Sequence, residues 1–167
     1  MQSRRLIIVR HGKAEGFAAT DHGRELLARG REDAARLGAW LAERGWLPDT
    51  AVVSSAVRTR QTWSALAEGA GLGLEPIVED GVYNAGPDAV LDVLRALDGD
   101  PQTVLLLGHN PTVAWLSNSL DDGEGEPAEL TRILSGFPPA SAALLEVHGA
   151  WPDLADGGCR LIASWTP

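Results

Sequence analysis

The sequence predicts an α/β domain with three layers, α/β/α, around a mainly parallel central sheet that finishes in antiparallel strands at its C-terminal edge. Two observations carry this expectation. Through residues 6–120, short apolar and often β-branched runs alternate with amphipathic stretches, the pattern of strands buried on both faces by crossover helices. After that, two apolar runs at 142–147 and 160–165 flank a turn-rich segment and read as an antiparallel hairpin at the sheet edge. At 167 residues, with no linker or internal repeat, one domain over 1–167 is expected.

The first strand is Leu6-Ile7-Ile8-Val9, which gives way to Arg10-His11-Gly12. Polar residues directly after a doubly buried strand mark its carboxyl end, where ligands bind in open α/β sheets. His11 is therefore presented rather than packed, and Gly12 is expected to turn the backbone and leave room for an incoming group. A loop through Gly23 follows. Ala34, Leu37 and Leu41 then fall at helical spacing over 28–44, with Gly45 as the stop.

Thr50–Ser54 reads as a second buried strand, and Ser54 or Ser55 can cap the helix that runs on to about Gly69. Arg58 and Arg60 fall in its first turns, where a cation opposes the helix dipole unless an anion lies between it and the amides. A third strand is expected over 74–78, followed by a loop carrying Glu79, Asp80, Tyr83 and Asn84. Pro87 opens the next helix, with Val90, Val93, Leu94 and Leu97 in register. Thr103–Leu107 is the most apolar strand and stops at Gly108-His109-Asn110-Pro111, where Asn110 is expected as N-cap and Pro111 as the first helical residue. Pro127–Leu134 reads as a short helix beyond an acidic, solvated loop.

Parallel strands bring their carboxyl ends to one rim, so His11, His109, Arg10 and Arg58 are expected to line a single crevice. The chain carries 14 Lys and Arg against 23 Asp and Glu, a net charge of −9. That balance disfavours nucleic acid and anionic membranes as partners, and a local basic cluster within it calls for an anionic ligand. Arginine forks match phosphoryl oxygens. Cys159 is the single cysteine, so neither an internal disulfide nor a multi-thiolate metal site is expected. With no signal-peptide core or membrane span in view, a cytoplasmic protein is expected. Trp40, Trp63 and Trp115 lie in amphipathic segments and are expected to pack.

Arg10-His11-Gly12, the stretch Ser54-Ser55-Ala56-Val57-Arg58-Thr59-Arg60-Gln61-Thr62 and Gly108-His109-Asn110 resemble, in order and spacing, the three motifs of the histidine phosphatase superfamily, the phosphoglycerate-mutase-like fold. The resemblance runs nearly the whole chain. Asp21-His22-Gly23-Arg24, Arg29-Gly30 and Val82-Tyr83-Asn84-Ala85 are most similar to its phosphohistidine phosphatase subgroup, which acts on histidine-phosphorylated signalling proteins. The resemblance implies that His11 is the nucleophile, forming a covalent phosphohistidine that water then hydrolyses. It implies that Arg10, Arg58 and His109, with Arg24, hold the phosphoryl oxygens, and that Gly12 and Asn110 belong to the same binding site. His109 would contribute most as a cation, a state that a bound dianion favours.

The resemblance implies neither cofactor nor metal, because arginines and His109 supply the positive charge. The expected partner is a phosphorylated substrate, such as a histidine-phosphorylated phosphotransfer protein. Larger superfamily members carry a general-acid carboxylate after the third strand; here Glu79 and Asp80 are candidates for it, in a segment that does not match the motif. A weakly basic imidazole nitrogen needs little protonation help to leave, so this departure favours a phosphoramidate substrate. Two alternatives stand beside this reading: a small-molecule phosphomonoesterase acting on a sugar or nucleotide phosphate, and a non-catalytic phosphate-binding adaptor.

Overall fold

A computed structural model describes residues 3–167. Six strands form one sheet: β1 (Arg4–Arg10), β2 (Thr50–Ser54), β3 (Ile77–Glu79), β4 (Thr103–Gly108), β5 (Ala142–Val147) and β6 (Cys159–Trp165), in the order β3-β2-β4-β1-β5-β6. β1 to β4 run parallel, and β5 and β6 join antiparallel at the far edge. The expected architecture of a mainly parallel sheet closed by a C-terminal hairpin is the observed one.

The period-2 alternation of the strands separates two cores. Ile7, Val9, Ala51, Val53, Leu105 and Leu107 pack on one face against α1 (Ala28–Glu43) and α2 (Val57–Ala70), through Ala34, Leu37, Leu41, Trp63 and Leu66. Leu6, Ile8, Val52, Val104 and Leu106 fill the other face against α3 (Pro87–Arg95), α4 (Thr112–Ser119) and α5 (Pro127–Ser135). Gly38 of α1 and Gly69 of α2 let these two helices touch backbone to backbone: a Cβ at either would collide with a carbonyl of its partner helix.

Several local expectations differ from what forms. Neither Ser54 nor Ser55 caps α2. Its N-cap is Ala56, because both hydroxyls are drawn to histidines, Ser54 to His109 and Ser55 to His22. Asn110 does not cap α4 either. Its amide donates to the Phe137 carbonyl, Pro111 is the N-cap, and the helix begins at Thr112. β3 is shorter and later than 74–78, because pairing with β2 begins only at Val52↔Ile77; Leu72 and Leu74 pack on the α1–α2 core outside any strand. Trp40 and Trp63 pack as expected, but Trp115 is 60% exposed. No helix among the described residues is long and apolar enough to cross a membrane.

Candidate active site

Register places the two histidines side by side. Arg10 of β1 pairs with Gly108 of β4, so the next residue of each strand, His11 and His109, leaves the sheet at the same level on adjacent strands. Their ring centroids are 5.4 Å apart. The His11 amide still bonds the Gly108 carbonyl at 3.1 Å, which holds the two strand ends together just past the sheet.

The tautomer of His11 follows from its partner. Its Nδ1 lies 2.8 Å from the Gly12 carbonyl, which can only accept, so Nδ1 carries the hydrogen and Nε2 keeps its lone pair. Gly12 is itself fixed, since its amide donates to Thr62 Oγ1 at 3.0 Å. Thr62 lies in α2, so the helix that carries Arg58 also sets the orientation of His11. A Cβ on Gly12 would sit 2.7 Å from the Gly30 carbonyl, so close packing on α1 is what demands glycine there. That corrects the expected role of Gly12. Its two polar backbone groups are already committed, and it orients His11 instead of offering an N–H to a ligand.

His109 is held from both sides. Its Nδ1 faces the Arg58 guanidinium at 3.3 Å, and an arginine only donates, so Nδ1 is the acceptor. Nε2 then bears the hydrogen and donates to the buried Ser54 hydroxyl at 2.7 Å. Arg58 is 5% exposed and donates to the Asp21 carbonyl and carboxylate. The Asp21 carboxylate also accepts from Arg24 at 3.1 Å and from the Tyr83 hydroxyl at 2.7 Å. His22, next in the chain, reaches Ser55 and packs edge-on against Tyr83, so the loop after β1 is clamped across the rim.

The charges act on the histidines in one direction. Burial, seconded by Arg58, Arg10 and Arg24, pushes His11 down to about 4 against the opposing pull of the Gly12 carbonyl. Burial, then His11 and Arg58, push His109 down to about 3. Both rings are neutral near pH 7 in the free protein. His11 thus keeps an unprotonated nitrogen, and an anion placed beside His109 would raise that ring's proton affinity. Asp21 lies well below the usual carboxylate range, held there by Tyr83 and the two arginines.

The arginines have unspent hydrogen-bonding capacity at this rim. The buried Nε of Arg58 and of Arg10 find no partner among the described residues, although Arg10 also donates to the Phe137 carbonyl. Buried donors of this kind are costly unless an acceptor meets them. Asn110 presents the opposite polarity. One N–H of its amide goes to the Phe137 carbonyl, bracing the 137 loop, and its unpaired buried atom is the acceptor Oδ1; the second N–H is the only part of this side chain that can meet a phosphoryl oxygen.

The expected acids are elsewhere. Glu79 folds back to accept from the Gly81 amide and lines a separate cavity with Asp92 and Asp98 at the β3 edge; Asp80, also outside the crevice, opens an exposed turn. The crevice itself, about 560 Å³, is lined by Asp21, Arg58, Asn84, His109 and Asn110 among others. Asp21 is the one carboxylate lining it among the described residues. No group of three or more His, Cys, Asp or Glu side chains gathers as a metal cluster among the described residues. Asp21, Tyr83, Ser54 and Thr62 are the site residues to which the sequence assigned no chemical part. All four stand inside the stretches that carry the family resemblance, which was the available signal.

The model of the histidine phosphatase superfamily (branch 1) matches residues 6–84. An uncharacterized protein of Mycobacterium tuberculosis is 32% identical over 163 residues, covering 95% of this chain and 99% of that protein. The chain belongs to the histidine phosphatase superfamily. A structure assigned as the phosphohistidine phosphatase SixA of Nakamurella multipartitia superposes with a TM-score of 0.85 and 34% identity, over 100% of this chain and 98% of that one. One assigned as SixA of Agrobacterium tumefaciens gives 0.81 and 29%, over 100% and 99%. Within the superfamily the chain groups with the phosphohistidine phosphatases.

Proposed function

We propose that the protein is a phosphatase that acts on protein phosphohistidine through a covalent intermediate on His11. The observation that carries this reading is the locked tautomer of His11: Nδ1–H is spent on the Gly12 carbonyl, so the lone pair of Nε2 is available beside three arginines. In the first step Nε2 attacks phosphorus as the bond to the leaving group breaks in line with it. Arg10, Arg58 and His109 meet the equatorial oxygens, with Arg24 adding charge from behind Asp21. The dianion draws a proton onto Nδ1 of His109, and Ser54 keeps the opposite edge of that ring hydrogen-bonded throughout. In the second step water attacks the phosphorus, inorganic phosphate departs, and Nε2 recovers its lone pair.

The substrate class is supported by the acid inventory of the crevice. Asp21 is held ionised and is a poor proton donor, and Glu79 and Asp80 are turned elsewhere. A phosphomonoester would have to expel an alkoxide without help. A phosphoimidazole takes a proton from water on its second nitrogen and then departs as a neutral ring. The similarity to proteins assigned as SixA phosphohistidine phosphatases supports the same choice.

The test is phosphate release from a histidine-phosphorylated phosphotransfer domain and from an aryl phosphate, with chelator present, for wild type and His11→Ala. Release from the domain that disappears in the variant is the expected result. Turnover of small phosphate esters alone moves the protein to the phosphomonoesterase reading. Phosphate binding without turnover of either makes it an adaptor.

A further inference from the structure

Among the six tryptophans Trp115 is the exposed one; the others are buried or half-buried. It stands on the first turn of α4, six residues beyond His109, just after Asn110-Pro111 close the rim of the crevice. With Pro87, Pro111 and Thr112 it lines an apolar depression of about 230 Å³ that contains no ionisable side chain. Pro87, Pro111 and Thr112 also line the catalytic crevice. The two hollows therefore adjoin along this wall, one carrying the Arg58 guanidinium beside His109 and the other, at Trp115, without charge. The shared wall is braced, because the Thr112 hydroxyl donates to the Ala85 carbonyl at 2.7 Å and ties α4 to the segment before Pro87.

We propose that this ledge is the docking surface for the protein substrate, and that its occupant is the segment of that protein carrying the phosphohistidine, seated by an apolar side chain close to that histidine. The proposal rests on the phosphohistidine reading of the same site. The phosphorus must reach Nε2 of His11, and a histidine side chain is short, so the backbone that bears it lies at the mouth of the crevice. If that segment is helical, its residues three and four positions away lie about 5–6 Å from the histidine on the same face. They would fall over Pro111 and Trp115, where the lining carries no charge. A free phosphoramidate fills the crevice and has no atoms to place on the indole.

The chemistry of the ledge also selects its partner. A chain of net charge −9 does not attract an acidic protein from a distance, and nothing charged lines the ledge to anchor one. Apolar contact is what remains, and an exposed tryptophan beside a polar crevice is the residue type that most often dominates such contacts.

The experiment compares wild type, Trp115→Ala and Trp115→Phe on two substrates: a histidine-phosphorylated phosphotransfer domain and free phosphohistidine. Trp115→Ala should raise KM for the domain about tenfold and leave kcat within about twofold. Both parameters on free phosphohistidine should hold, and Trp115→Phe should keep most of the affinity. The side chain is exposed, so the fold should survive, which circular dichroism and thermal melting verify. Unchanged KM on the domain, or an equal loss on both substrates, overturns the docking role. So does a wild-type dimer that Trp115→Ala dissolves, because a second copy would then be the occupant. A wild-type enzyme that cleaves free phosphohistidine and spares the domain overturns the protein-substrate reading itself, a result distinct from any of these.

Discussion

The depressed proton affinity of His11 makes a prediction with a definite sign. In the unfolded chain the imidazole takes up its proton near its usual value of about 6.5; in the fold, burial and the arginines hold it to about 4. The ring is 8% exposed, so solvent screens the effect little. A difference of about 2.5 units corresponds to about 3 kcal/mol in favour of the neutral form, as an order of magnitude. Between these two values the unfolded state binds the extra proton. The contribution of His11 is therefore fully present above pH 6.5 and is lost as pH falls toward 4. His109, pushed down to about 3, acts in the same sense and loses its contribution over a window reaching lower still. NMR titration of the histidine Cε1–H signals should show both rings neutral down to pH 5. Urea unfolding at pH 7 and pH 4.5 should cost wild type more stability than His11→Asn, by one to a few kcal/mol. A His11 signal titrating near 6.5, or equal acid losses in the two proteins, would refute the burial and charge reasoning.

Other substitutions probe the supports of the site. Thr62→Val leaves the Gly12 amide buried without its acceptor and should lower stability by about 1–3 kcal/mol. It should also reduce kcat on an aryl phosphate, because Gly12 holds the His11 ring; chemical denaturation and steady-state kinetics read the two effects separately. Asp21→Asn removes the charge and one of the two oxygens that Arg24, Arg58 and Tyr83 share, turning that position into a donor, and should raise KM and weaken inorganic phosphate binding measured by calorimetry. Glu79→Gln should leave kcat on both the phosphotransfer domain and an aryl phosphate within about twofold, since that carboxylate serves the Gly81 amide in a different cavity. A large kcat loss there would restore Glu79 as the acid.

The elements were legible because their residues state their own burial. Leu6–Val9, Val52-Val53 and Val104–Leu107 are too short for buried helices, rich in branched side chains and flanked by turn residues, which marks doubly buried strands, and the Ala34, Leu37, Leu41 series covers one face of them. Strand ends then give the rim, and with it His11, His109 and Arg58. What stayed hidden depends on which of several partners a polar group chooses. Ser54 has the right type and place to cap α2, yet the nearby ring of His109 takes its hydroxyl, and only the β2–β4 register brings that ring close. Glycine at position 12 looked like room for a ligand, while the Gly30 backbone fills that space. Asp21 and Tyr83 lie 62 residues apart, and no periodicity links a loop carboxylate to a turn hydroxyl. Trp115 sits on a helix with an ordinary apolar pattern, and its exposure follows from where α4 meets the crevice.

The central claim is that the phosphoryl group passes through Nε2 of His11. The most direct measurement is a rapid acid-free quench of the enzyme with phosphorus-labelled substrate, followed by mapping of the labelled peptide. The account predicts an acid-labile, base-stable label on His11 that forms and decays at rates competent for turnover and is absent in His11→Asn. Full turnover with no labelled enzyme, or a label on any other residue, would contradict it.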